Sequence, residues 1–198
     1  MIIQGRTLDY HVIFSLDTAN MYSCTCLTTM ITRTQIVLNK LKEWNIPCTV
    51  YTHPPLPTVE IALAYWKDIP EATHCKNLFL RNHKGNRHYL VIFECSKQLN
   101  IYDLEKRLKQ GKLSFASPER MDKYLGLTPG SVSPFGLIND REHEVYLFID
   151  KQLMDAPSLS FHPNDNTASV VISTSDFLRF LALCKNRYEL IELYQESS

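Results

Sequence analysis

Lys76-Asn77-Leu78-Phe79-Leu80, then a polar turn at His83-Lys84-Gly85-Asn86, then His88-Tyr89-Leu90-Val91-Ile92-Phe93, is the stretch on which the fold turns. Two short apolar runs rich in aromatic and branched residues, separated by a turn that contains glycine, predict a β-hairpin. Upstream, Val37, Leu41 and Trp44 recur at spacings of four and three between Thr34 and Asn45, which predicts a helix that Pro47 stops. Cys48 to Thr52 is short and β-prone, and His53-Pro54-Pro55-Leu56-Pro57 lacks the backbone donors a regular element needs, so a loop is expected before a helix from Thr58 to Trp66.

Downstream, Leu104 and Leu108 stand four apart in a helical stretch from Tyr102 to Gln110, with Gly111 placed to end it, and Leu113 to Phe115 reads as a short strand. Pro118 to Leu125 carries proline at a helix start, Ser117 as a candidate cap and Gly126 at its end. Thr128 to Gly136 is too broken by Pro and Gly for a regular element and is expected to be a loop of defined shape. Strands follow at Val145 to Ile149, Leu159 to Phe161, Ser169 to Ile172 and Tyr188 to Leu193, with a helix at Ser175 to Leu183. Strands and helices interleave without strict alternation, so the expected class is α/β of the mixed α+β kind: one mixed β-sheet surrounded by helices, in a single domain.

The composition, 44% hydrophobic and 21% charged over 198 residues, is that of a chain that buries one core. Basic and acidic residues both total 21, but eleven Lys or Arg face five acids between Lys76 and Lys123, and five face ten from Asn139 to Ser198. Such a basic middle suits phosphates and a solvated helix surface equally well. The six cysteines form neither a CxxC pair nor a dense framework, so reduced thiols and a cytoplasmic location are expected. Cys24 and Cys26 have no matching downstream pair, and no metal is expected. Met1 to Arg33 holds no apolar run long enough to span a membrane and no leader pattern; it reads as an extension of open role ahead of a domain over residues 34–198, with no membrane partner.

The sequence contains no GxxxxGK(S/T), GxGxxG, HExxH or GxSxG. Three features remain: Lys76 at the start of an apolar strand, the Gly130-Ser131-Val132-Ser133-Pro134 turn, and His162 after a strand in Phe161-His162-Pro163-Asn164. Taken singly, each has an ordinary reading as a solvated strand end, a turn or a structural histidine.

Taken in order, Lys76-Asn77-Leu78-Phe79-Leu80, Leu113-Ser114-Phe115, Leu125 to Val132, Phe135-Gly136-Leu137-Ile138-Asn139-Asp140 and Phe161-His162-Pro163 resemble the YbaK/prolyl-tRNA-synthetase-associated editing superfamily. The likeness is greatest to its free-standing prolyl-tRNA editing proteins of the ProXp-ala/PrdX type and runs from about Thr34 to Tyr194. The resemblance implies a mixed-sheet fold and hydrolysis of the ester between an amino acid and the terminal ribose of tRNA. The implied substrate is Ala-tRNA(Pro), cleared in trans. It implies that Lys76 orients the substrate and balances charge at the tetrahedral centre, and that the loop from Gly130 to Pro134, with Ser131 and Val132 inside it, binds the scissile carbonyl. His162 and Pro163 would line the amino-acid pocket, Asn77 would bond the amine or the ribose, and Cys75 with the His53 to Thr58 loop would complete the walls.

Attack by a water positioned with help from a ribose hydroxyl needs neither cofactor nor metal. The implied partners are the acceptor end of tRNA(Pro) and, transiently, prolyl-tRNA synthetase, with no role for DNA. The logic is a double sieve, because each missing methylene is worth only about 1 to 3 kcal/mol in the synthetase pocket. Two other readings stay open: a Cys-tRNA(Pro) deacylase of the same superfamily, and a non-catalytic adaptor that binds tRNA or the synthetase. Cys75 and Pro134 bear on the first, since many relatives carry a small hydroxyl residue before the lysine and the cysteine-specific branch carries the proline.

Overall fold

Helix α1 (Arg33–Glu43) begins at Thr32, whose hydroxyl accepts a hydrogen bond from the Gln35 amide, and buries Val37 and Leu41 as their four-residue spacing requires. It is the first element of a computed structural model that describes residues 32–56, 59–67, 69 and 72–194. There follow β1 (Thr49–Thr52), α2 (Val59–Trp66), β2 (Thr73–Asn82), β3 (His88–Glu94), α3 (Ile101–Leu108), β4 (Leu113–Phe115) and α4 (Pro118–Leu125). A 3-10 helix (Pro134–Asn139) leads to β5 (Val145–Asp150), and a second one (Lys151–Asp155) to β6 (Ser158–Phe161), β7 (Ala168–Ser173), α5 (Thr174–Cys184) and β8 (Tyr188–Ile191). None of these helices is long and apolar enough to cross a membrane.

The expected hairpin is the centre of the sheet: β2 and β3 pair antiparallel from Cys75 opposite Glu94 to Arg81 opposite His88. Strand order is β1-β7-β6-β2-β3-β5-β8, with β5 parallel to β3 and β8 parallel to β5. The other edge of β2 is shared. Its first two residues pair with β6 in parallel (Thr73 with Leu159, His74 with Ser160), and its last three pair with β4 antiparallel (Leu80 with Phe115 through Asn82 with Leu113). Between those pairings, Cys75 to Leu78 have a strand neighbour on the β3 edge only, and the sheet opens along that seam.

Strand alternation divides the core. Cys75, Phe79, Leu90 and Ile92 face one layer made by α1, α4, α5 and the first 3-10 helix, while Leu80, Tyr89, Val91 and Phe93 face Leu104 and Leu108 of α3. In the first layer Phe135 stands edge-on to Phe161 (5.9 Å between centroids) and to Phe180 (5.3 Å), and Phe161 stacks on Phe177 (4.9 Å). These rings anchor the chain just after one predicted site segment, the Gly130 loop, and just before another, His162.

Three local expectations need correction. Helix α3 ends at Leu108 with Lys109 in the left-handed cap (φ 52°), because the Lys109 amide already returns to the Glu105 carbonyl; Gly111 turns the chain later. Ser117 is the N-cap residue of α4, but its side chain makes no capping bond there. The loop expected to run from Thr128 to Gly136 ends early, in the 3-10 helix that starts at Pro134 and is capped by the Ser133 hydroxyl accepting from the Phe135 amide. Gly136 lies inside that helix because a Cβ there would sit 2.8 Å from Leu127 Cδ1 and 3.0 Å from Leu125 Cβ. Pro57, Thr58, Cys24, Cys26 and nearly all of the amino-terminal extension lie outside the described residues.

Candidate active site

A cleft of about 260 Å³ opens over the seam in the sheet. From β2 it takes Cys75, Lys76 and Asn77, from the loop after α4 it takes Gly130 and Val132, and from the end of β6 it takes Phe161 and His162. The β1–α2 loop adds His53 and Leu56. Thus segments far apart in sequence meet at the one place where β2 lacks a second strand neighbour.

Lys76 is exposed, and its ammonium makes no hydrogen bond or ion pair with any described residue. It alternates away from Cys75 and Asn77, alongside Leu78, and lines the cleft from the stretch of β2 that has no second strand neighbour. Asn77 donates from Nδ2 to the Val132 carbonyl (3.2 Å), tying β2 to the Gly130 loop, and its Oδ1 is buried without a hydrogen-bond partner. A buried acceptor left open at the rim of a cleft is available to a ligand donor.

Gly130 has φ 86°, a conformation that disfavours any side chain, and a Cβ built on it would meet nothing within 4 Å. The requirement for glycine is therefore one of backbone shape. Ser131 closes this turn: its hydroxyl donates to the Thr128 carbonyl (2.7 Å) and accepts from the Thr128 amide (3.2 Å). Arg33 reaches the same turn from α1, donating to Thr128 Oγ1 at 3.0 Å.

Burial pushes the His162 imidazole down to about 4, against a smaller upward pull from Asp165, and Nδ1 is buried without a partner. The ring is neutral at pH 7 and can donate or accept but carries no charge. The two thiols of the cleft behave in the opposite sense. Burial raises Cys75 well above the usual thiol range, and burial with the nearby Glu94 raises Cys95 to about 11, so neither presents a thiolate at neutral pH.

The aminoacyl-tRNA editing domain family matches residues 53–180, which span every one of these segments. The chain belongs to the aminoacyl-tRNA editing domain family. It is 41% identical over 160 residues to the prolyl-tRNA editing protein ProX of Acetoanaerobium sticklandii, covering 80% of this chain and 96% of that one. It is 32% identical to the prolyl-tRNA synthetase associated domain-containing protein 1 of Bos taurus, covering 72% of this chain and 84% of the relative. A solved structure provisionally described as a trans-editing enzyme for prolyl tRNA synthetase superposes with TM-score 0.60 over 81% of this chain and 96% of that one; at 18% identity it shows the shared fold.

Within this editing domain, Cys75, Lys76, Asn77, Gly130, Val132 and His162 line one cleft. Ser131, Pro134 and Pro163 do not: Ser131 is occupied in its turn, Pro134 starts the buried 3-10 helix, and Pro163 is buried. Sequence reasoning passed over Trp66, Cys95, Ser160, Asn166 and Ser169, which also line the cleft. Ser160 and Ser169 are 3% and 4% exposed within β6 and β7, and a hydroxyl inside an apolar strand was the one signal that could have marked them.

Proposed function

We propose that this editing domain is a trans-editing aminoacyl-tRNA deacylase that hydrolyses mischarged tRNA(Pro), with alanine as the amino acid removed. The observation that carries the reading is the convergence of an unpaired ammonium (Lys76), an open amide acceptor (Asn77), a glycine turn (Gly130) and a neutral histidine (His162) on one small cleft. The name of the Acetoanaerobium sticklandii relative, a prolyl-tRNA editing protein, supports prolyl-tRNA as the context.

The chemistry follows from what the cleft offers. The ester carbonyl lies against the Gly130 turn, whose backbone amides and the Lys76 charge stabilise the oxyanion as water adds. Both cleft thiols are protonated, so water is the nucleophile, positioned with a hydroxyl of the terminal ribose. His162 and Cys75 bound the side-chain pocket, which in this reading admits alanine and excludes the proline ring. The editing domain proposed for residues 34–198 is joined by two residues before it, since Thr32 caps α1 and Arg33 donates to Thr128 Oγ1.

The test is deacylation of tRNA(Pro) charged with alanine, cysteine, serine or proline, by wild type and Lys76→Ala. Alanine is expected to be released selectively, with a fall of about 10²- to 10³-fold in the variant. Selective release of cysteine would move the substrate to the thiol-bearing amino acid, and no release of any would leave a binding adaptor.

A further inference from the structure

His53 and Ser169 form a hydrogen-bonded pair that lines the same cleft as the Asn77–Val132 tie. His53 Nδ1 lies 2.9 Å from the Pro54 carbonyl oxygen, and Nε2 lies 3.1 Å from Ser169 Oγ. A carbonyl can only accept, so Nδ1 carries the proton; in the neutral ring Nε2 is then the acceptor, and the Ser169 hydroxyl must donate to it. That fixes the one rotatable proton of Ser169 toward His53. The lone pairs of Ser169 Oγ are left for another donor, and no other described residue bonds to this hydroxyl.

An aminoacyl ester brings a donor that has to be met. Its α-ammonium has three N–H bonds and a charge, yet among the described residues no carboxylate lines the cleft and Lys76 contributes a charge of the same sign. The acceptors that the described lining offers the ammonium are neutral ones. Asn77 Oδ1 is one, but it is tied to the Gly130 loop and so belongs to the end where the carbonyl and ribose lie. Ser160, Asn166 and Ser169 also line the cleft, and of these the Ser169 hydroxyl, on β7 and 4% exposed, is the one aligned by an imidazole.

We propose that Ser169 Oγ, oriented by His53, receives the α-ammonium of the aminoacyl group, so that the cleft selects aminoacyl over des-amino acyl chains. This rests on the editing reading for the class of ligand. Ser169 touches the substrate in this scheme, and His53 is a positioning residue.

Two non-hydrolysable probes separate the proposal from the deacylase reading: 3′-(L-alanylamino)-3′-deoxyadenosine and its propionyl counterpart, which lacks only the amine. Wild type is expected to bind the alanyl probe about 10- to 100-fold more tightly, the range for a charge-assisted hydrogen bond. Ser169→Ala should bring the two affinities together by weakening the alanyl probe alone, Ser169→Thr should keep the preference, and His53→Phe should lose most of it. Unchanged discrimination in Ser169→Ala, or equal binding of both probes by wild type, overturns the proposal while alanyl-tRNA cleavage by wild type leaves the deacylase reading in place. Discrimination that depends on Ser169 without cleavage of any ester supports the amine receptor and overturns the deacylase.

Discussion

Acidification from pH 7 to pH 5 should weaken the fold by about 4 kcal/mol through two histidines, and the structure says which. His88 is 1% exposed, and its Nε2 lies 2.8 Å from an Arg120 guanidinium nitrogen, which can only donate. Burial first, then the charges of Arg120 and Lys123, lower His88 to about 4; burial lowers His162 to about 4. The unfolded chain protonates each ring as the pH falls through 6.5, whereas the folded chain resists until about 4. Between those values the unfolded state holds more protons, so this stability is complete above 6.5 and drains away as the pH drops toward 4. At pH 5 the loss is about 2 kcal/mol for each ring. Urea unfolding at pH 7, 6 and 5 measures it, and the window lies above the range in which ordinary carboxylates titrate. His88→Asn and His162→Asn should each remove about half of the pH dependence, whatever they do to stability at pH 7. A wild-type change below about 1 kcal/mol, or variants that keep the full slope, would refute the neutral buried assignment.

Gly130→Ala should cost only about 1 kcal/mol in a thermal melt, since φ 86° is strained for alanine but the space is open, while the deacylation rate drops far more; an unchanged rate would remove the turn from the site. Gly136→Ala should cost about 1 to 3 kcal/mol by chemical denaturation, because its Cβ would press on Leu127 and Leu125. Asp140→Ala should cost about 3 kcal/mol in the same assay: the carboxylate accepts from the amides of Val145 (2.8 Å) and Glu144 (3.1 Å) and from Asn186 Nδ2 (2.7 Å), and the buried asparagine would keep only the Val145 carbonyl as an acceptor.

Elements whose signals are local were legible in the sequence. Pro118 and Gly126 bracket α4 as proline at a first turn and glycine at a left-handed cap should, and the apolar runs around Gly85 gave the central hairpin. The 3-10 helix at Pro134–Asn139 was not legible, since six residues around proline and glycine show no stripe, and what selects Gly136 is packing against Leu125 and Leu127. Parallel pairings such as β3 with β5 join residues more than fifty apart and leave no mark in either strand. The site was read mostly through resemblance, because Lys76, Gly130 and His162 are each ordinary until the fold brings them to one cleft. His53 was expected only as part of a proline-rich wall; its role depends on Ser169, 116 positions away.

Only two residue pairs bind β6 to β2, so the half of the sheet made by β1, β7 and β6 joins the hairpin half by a short ladder and by the core packed against both. Lys76 and Asn77 belong to the hairpin half, whereas Ser169 and His162 belong to the other. Mutation can therefore reshape what the pocket accepts while the strand that carries the lysine keeps its register.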